Sequence, residues 1–121
     1  MRKIADSRLG DIGMIQSMIA RMGTDLEAGK LLCFSACRAE DDHKPEAFTR
    51  TLMAKYFTSR AAVRAASDAV QIQGAAGCHA SSSVSRFYRD AKIMEIIEGT
   101  TQIHEHLLGG ILLGQARRSL Q

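Results

Sequence analysis

No tryptophan and a single proline occur in this chain, and no apolar run approaches the roughly 18 residues needed to cross a bilayer. The charged first residues, Met1 to Arg8, are not followed by an apolar h-region, so a signal peptide is not supported and a cytoplasmic location is the default expectation. No stretch alternates apolar and polar residues with the period of two that marks a half-buried strand, which argues against a sheet protein. Basic residues are not gathered into a stripe. With 16 basic and 13 acidic side chains spread along the chain, the net charge of +3 is too mild for a nucleic-acid binder.

Cysteine is equally sparse. Cys33 and Cys37 lie four apart on one helix face, near the upper distance limit for a disulfide, and Cys78 stands apart. An odd count with this spacing reads as reduced, buried thiols in a reducing compartment. His79 beside Cys78 does not make a zinc spacing, so no metal site is expected.

What the chain does have is helical periodicity. At 121 residues it is one domain, and 45% hydrophobic with 24% charged residues is a balance able to bury a core. After an irregular lead-in over 1–10, apolar residues recur at Ile12, Ile15, Ile19, Met22, Leu26, Gly29 and Cys33, in steps of three and four. That spacing predicts a long helix over 11–39 with Asp11 as its N-cap and this row as its packing seam. A polar turn ending in Pro45 opens a second helix over 46–73, rich in alanine from Ala61 to Ala69 and ended by Gly74. Residues 74–83 lack periodicity and read as a loop. Ser82 or Ser83 caps a third helix over 83–95, and a fourth runs over 100–116 with Gly109-Gly110 as a weak point. The expectation is an all-α antiparallel helical bundle.

Between the third and fourth helices the charged, apolar-rich stretch from Arg86 to Ile103 breaks at Glu98-Gly99-Thr100. A carboxylate at such a break can point out of a rigid scaffold, although an exposed glutamate ending a helix is the ordinary case. Four pieces then coincide in order. Ile15-Gln-Ser-Met-Ile-Ala-Arg-Met-Gly-Thr-Asp-Leu-Glu-Ala-Gly-Lys-Leu-Leu32 resembles an I-Q-x-x-L-A-x-M-x-x-x-L-E-A-A-R-x-L helix. Ala54-Lys-Tyr-Phe-Thr-Ser, followed by Ala66-Ser-Asp-Ala-Val-Gln-Ile-Gln-Gly74, resembles A-K-x-F-x-S and A-x-D-A-V-Q-I-H-G. Tyr88-Arg-Asp-Ala-Lys92 matches Y-R-D-A-K, and Glu98-Gly-Thr-Thr-Gln-Ile103 matches E-G-T-x-x-I. Together they resemble the C-terminal helical domain of the acyl-CoA dehydrogenase family over nearly the whole chain from residue 11.

The resemblance implies FAD-dependent dehydrogenation of an acyl thioester, on CoA or on an acyl carrier protein. It places Glu98 as the base that removes the α-proton and Gly99 against the thioester. That chemistry needs a carboxylate of raised pKa, which burial achieves, and Ile96 and Ile97 before Glu98 suit a poorly solvated site. For FAD the resemblance implies Gln71, Gln73, Gly74 and Ala75, then Thr100, Thr101 and Gln102, with Arg2 where the family has a phosphate-reaching arginine. The Gln-Gly segment usually serves a neighbouring subunit's flavin, which implies a homo-oligomer.

Two departures are visible. Gly74-Ala-Ala-Gly77 stands for the family's G-G-Y-G, and Ala80-Ser-Ser-Ser-Val84 for an aromatic-proline segment. Both lean towards relatives acting on carrier-protein-bound acyl groups. The family's enzymes are also much longer. The N-terminal helical domain, the middle β-domain and most of the first C-terminal helix have no counterpart in these residues, so the chain alone is not expected to catalyse. Two functions follow: the C-terminal part or subunit of an acyl thioester dehydrogenase completed by partner domains, or a non-catalytic helical interaction and oligomerisation module. The open apolar groove left without the first helix serves either.

Overall fold

A computed structural model describes residues 3–4 and 7–120. Its elements are β1 (Lys3–Ile4), β2 (Ser7–Arg8), a 3-10 turn at Leu9–Asp11, and helices α1 (Gly13–Asp41), α2 (Ala47–Gln73), α3 (Ala75–Cys78), α4 (Ser83–Met94) and α5 (Thr101–Ser119). The chain is a helical bundle. Within the expected irregular lead-in, the described residues pair locally. Lys3 pairs with Arg8 and Ile4 with Ser7 in an antiparallel ladder of two residues a side, too short to leave a periodic signal. Asp11 sits inside the 3-10 turn, so Ile12, without a side-chain bond, takes the N-cap position of α1.

Helix α2 is the spine, because α1, α3, α4 and α5 all pack against it. Its buried residues are mostly small: Ala47, Ala54, Ser59, Ala61 and Ala66, with Leu52 the one large member. Small side chains let helix axes approach from more than one side, and alanine also keeps helix propensity high. The Ser59 hydroxyl donates to the Lys55 carbonyl at 2.8 Å, so the polar group is satisfied within its own helix. Crossed ion pairs mark the antiparallel register of α1 on α2, Arg21 to Asp68 at 2.7 Å and Arg64 to Asp25 at 3.0 Å. Such exposed pairs add little stability, so the register rests on the packing beneath them.

The buried row of α1 differs from the expected seam. Gly29, Ala36 and Ala39 are buried, whereas Ile19, Leu26 and Cys33 face outward. Helix α1 meets its main partner along one side, so a second apolar row is left open. Met22, Leu26, Gly29, Cys33, Phe34 and Ala62 line a groove of about 390 Å³ there. Phe34 is 71% exposed and Leu31 69%. The cysteines are free but exposed, not buried, and this corrects the reading from their spacing.

Residues 74–83 are not wholly a loop. Gly74 takes φ 61°, ψ −145°, and α3 folds back against the end of α2. This works because a Cβ on the buried Gly77 would lie 2.7 Å from the Val70 carbonyl oxygen. Helix α5 runs unbroken through Gly109-Gly110, where added Cβ atoms would meet nothing within 4 Å.

These two glycine environments give opposite expectations. Gly109→Ala should raise stability by up to about 1 kcal/mol through helix propensity alone. Gly77→Ala should lower it by about 1–3 kcal/mol, since the clash is with backbone. Urea unfolding followed by circular dichroism checks both, and equal midpoints for the two variants would contradict the packing described.

Candidate active site

The reverse turn between α4 and α5 is built from several backbone devices. Helix α4 ends at Met94, and Glu95 closes it with its amide bonded to the Lys92 carbonyl at 3.1 Å. The amides of Ile96 and Ile97 both return to the Ile93 carbonyl, at 2.9 and 3.0 Å. Glu98 and Gly99 then take positive φ in succession, 55° and 100°. Glycine enters that region freely, but a glutamate pays to be there, and such residues persist only where their surroundings over-determine the backbone.

The far side of the turn is fixed by α5. Thr100 is its N-cap, with the hydroxyl accepting from the Ile103 amide at 3.4 Å. Thr101 is buried, and both its amide (3.0 Å) and its hydroxyl (3.4 Å) donate to the Glu95 carbonyl. His104 is buried beneath the turn, with its Nε2 only 3.0 Å from where a Cβ on Gly99 would sit. Gly99 is therefore required twice over, by its φ and by the imidazole against it. His106, two residues on, is exposed, so the two histidines divide into one packing and one surface residue.

The Glu98 side chain leaves this frame into solvent. It is exposed and makes no hydrogen bond or ion pair among the described residues. Ile96 is 55% exposed and Ile97 41%. The expected burial of the carboxylate is thus absent within these residues. The apolar neighbours stand beside it as an open rim.

The structure gathers Glu98, Gly99, Thr100, Thr101 and Gln102 at one turn, but holds Gln71, Gln73, Gly74 and Ala75 away from them. Lys55 of α2 lies against the end of α4, and the 16 residues from Lys55 to Gln71 span about 24 Å of helix. Gln71 and Ala75 are exposed at the far end of α2, while Gln73 accepts from the Ser82 hydroxyl at 3.4 Å. Arg2 lies outside the described residues. Within Thr100-Thr101-Gln102, only Thr101 has its hydroxyl turned into the fold. Lys55 and His104 also bear on the turn. Lys55 carried the signal of an A-K-x-F-x-S motif, whereas His104 reads from sequence as a surface or packing histidine, and the structure makes it a packing one.

Two substitutions test the turn. Glu98→Asn should stabilise the fold by about 1 kcal/mol, because asparagine tolerates left-handed backbone better. Gly99→Ala should destabilise it by about 1–3 kcal/mol. Thermal unfolding midpoints read both, and a fall for Glu98→Asn would show that the backbone there is not strained.

Comparison with known proteins agrees with this architecture. Residues 1–113 match the family model described as acyl-CoA dehydrogenase, C-terminal domain. The chain is 38% identical over 112 residues to the CarC subunit of a caffeyl-CoA reductase–Etf complex from Acetobacterium woodii, covering 93% of this chain and 29% of that protein. Glutaryl-coenzyme A dehydrogenase, solved in complex with glutaryl-CoA, superposes with a TM-score of 0.88 at 34% identity, again over 93% of this chain and 29% of the other. A prolyl acyl carrier protein oxidase, AnaB, has a TM-score of 0.87 at 22% identity over 92% and 29%, a likeness that speaks for the fold alone. The chain therefore spans less than a third of the length of the proteins it matches.

Proposed function

The chain belongs to the acyl-CoA dehydrogenase family, as its C-terminal domain, and on that premise we propose that it supplies the catalytic base of an acyl thioester dehydrogenase. The observation that carries this reading is Glu98 on a strained, positive-φ backbone directly before a glycine that nothing else could replace. A rigid turn of this kind presents an unpaired carboxylate at a fixed place, which is what proton abstraction from carbon requires. In the reaction the α-carbon gives its proton to the Glu98 carboxylate, the β-carbon loses a hydride, and a double bond forms between them. Bound FAD would supply the two-electron acceptor for that hydride.

The residues present suit the polar parts of such a group. Gln71 and Gln102 offer exposed amides, Gln73 sits between them in character with its side chain tied to Ser82, and Gly74 turns the backbone at φ 61°. Thr100 and Gln102 lie at the N-terminus of α5, where a helix favours anionic oxygens. Two such clusters about 24 Å apart along α2 suit a homo-oligomer in which each serves a different flavin. Ile96, Ile97 and the groove on α1 are the surfaces that further domains or subunits would cover, closing Glu98 from water. A CoA thioester is favoured over a carrier-protein thioester, because the relatives with CoA in their names reach 34–38% identity.

The test is spectroscopic. The protein purified with its cellular partners should show visible flavin absorbance that bleaches on adding an acyl-CoA, and Glu98→Gln should retain the colour but lose the bleaching. A colourless, stable oligomer that takes up no FAD would favour instead an interaction module, for which the exposed apolar rows are suited.

A further inference from the structure

Glu98 has no side-chain partner among the described residues, so its position is set wholly by the backbone that carries it. What holds that backbone to the rest of the fold is therefore functional. Met94 is the last residue of α4, and its carbonyl is one of those a helix end leaves without an intrahelical donor. The Lys55 ammonium donates to it from α2. This link joins residues 39 apart in sequence. The donor is a cation at the negative end of a helix, so hydrogen bond and helix dipole act in the same sense. Lys55 forms no ion pair among the described residues. The carbonyl is its partner, unlike Arg21, Arg60 and Arg64, which all reach carboxylates.

The turn is then fixed from both ends. Thr101 ties its α5 side to the Glu95 carbonyl, one residue beyond the carbonyl that Lys55 holds. His104 fills the space under Gly99. Of these three supports, Thr101 and His104 belong to α5 and move with it. Lys55 is the one that references the turn to α2, against which α1 and α5 also pack. We infer that Lys55 is a positioning residue for Glu98, clamping the end of α4 so that the strained turn presents the carboxylate at one place. The inference rests on the reading of Glu98 as the base. Its chemistry is local: the Lys55 ammonium neither touches substrate nor transfers a proton.

Lys55→Met keeps the aliphatic stem and removes the donor, and Lys55→Arg keeps a cationic donor. Amide hydrogen exchange on the full chain should be faster over residues 95–104 in Lys55→Met by about tenfold, the effect of one charge-assisted bond on local opening. Exchange in α1 should stay unchanged, and Lys55→Arg should restore most of the protection. In the flavin-bearing protein Lys55→Met should lower kcat by about tenfold while KM moves by less than about twofold. If Lys55→Met does not fold, Lys55→Gln is judged by the same pattern. Unchanged exchange over 95–104, or an increase spread equally over all helices, overturns the inference. The base reading fails separately, if Glu98→Gln keeps its turnover.

Discussion

Packing on helix α2 from more than one side is the constraint on which the rest depends. Its small buried residues, from Ala47 to Ala66, let α1 lie along one flank while α4 and α5 dock elsewhere on it. Tyr56, Arg60 and Glu105 join α2 to α5, with Arg60 donating to the Tyr56 hydroxyl at 2.6 Å and to Glu105 at 2.9 Å. Lys55 joins α2 to the end of α4. The turn bearing Glu98 hangs between these two attachments. Remove the spine, and nothing relates the left-handed backbone at Glu98 and Gly99 to any other part of the molecule.

The same architecture explains why so much apolar surface is open. Among the described residues eight hydrophobic ones form the buried core, six of them alanine, and no large side chain is fully buried. Rows at Ile19, Leu26 and Phe34 on α1, and at Ile96 and Ile97 beside Glu98, face outward. Exposed apolar patches of this kind mark surfaces built for association. The chain's coverage of 29% of its relatives fits that expectation. Within the described residues, no helix is long and apolar enough to cross a membrane.

Much of the fold was legible because helices announce themselves by period, and Gly74 and the Glu98-Gly99-Thr100 break punctuate it. Periodicity does not say which of two apolar rows finds a partner. Ile19, Leu26 and Cys33 satisfy the spacing as well as Gly29 and Ala36 do, and only the position of α2 decides between them. The β ladder at Lys3–Ile4 and Ser7–Arg8 was too short to see, and α3 was hidden because a glycine-alanine stretch carries no apolar pattern. At the site, the motif located Glu98 but could not tell that it would stand in solvent. Nor could it show that Thr101 turns inward, that His104 supports Gly99, or that Lys55 reaches Met94 across 39 residues. Those are tertiary facts, and no local spacing encodes them.

The claim that Glu98 is a proton-abstracting base is tested most directly by hydrogen exchange at carbon. In heavy water the flavin-bearing protein should exchange the α-hydrogen of a bound acyl thioester for deuterium, and Glu98→Gln should abolish that exchange without releasing the ligand. Undiminished α-exchange in Glu98→Gln, with ligand and flavin still bound, would contradict the account.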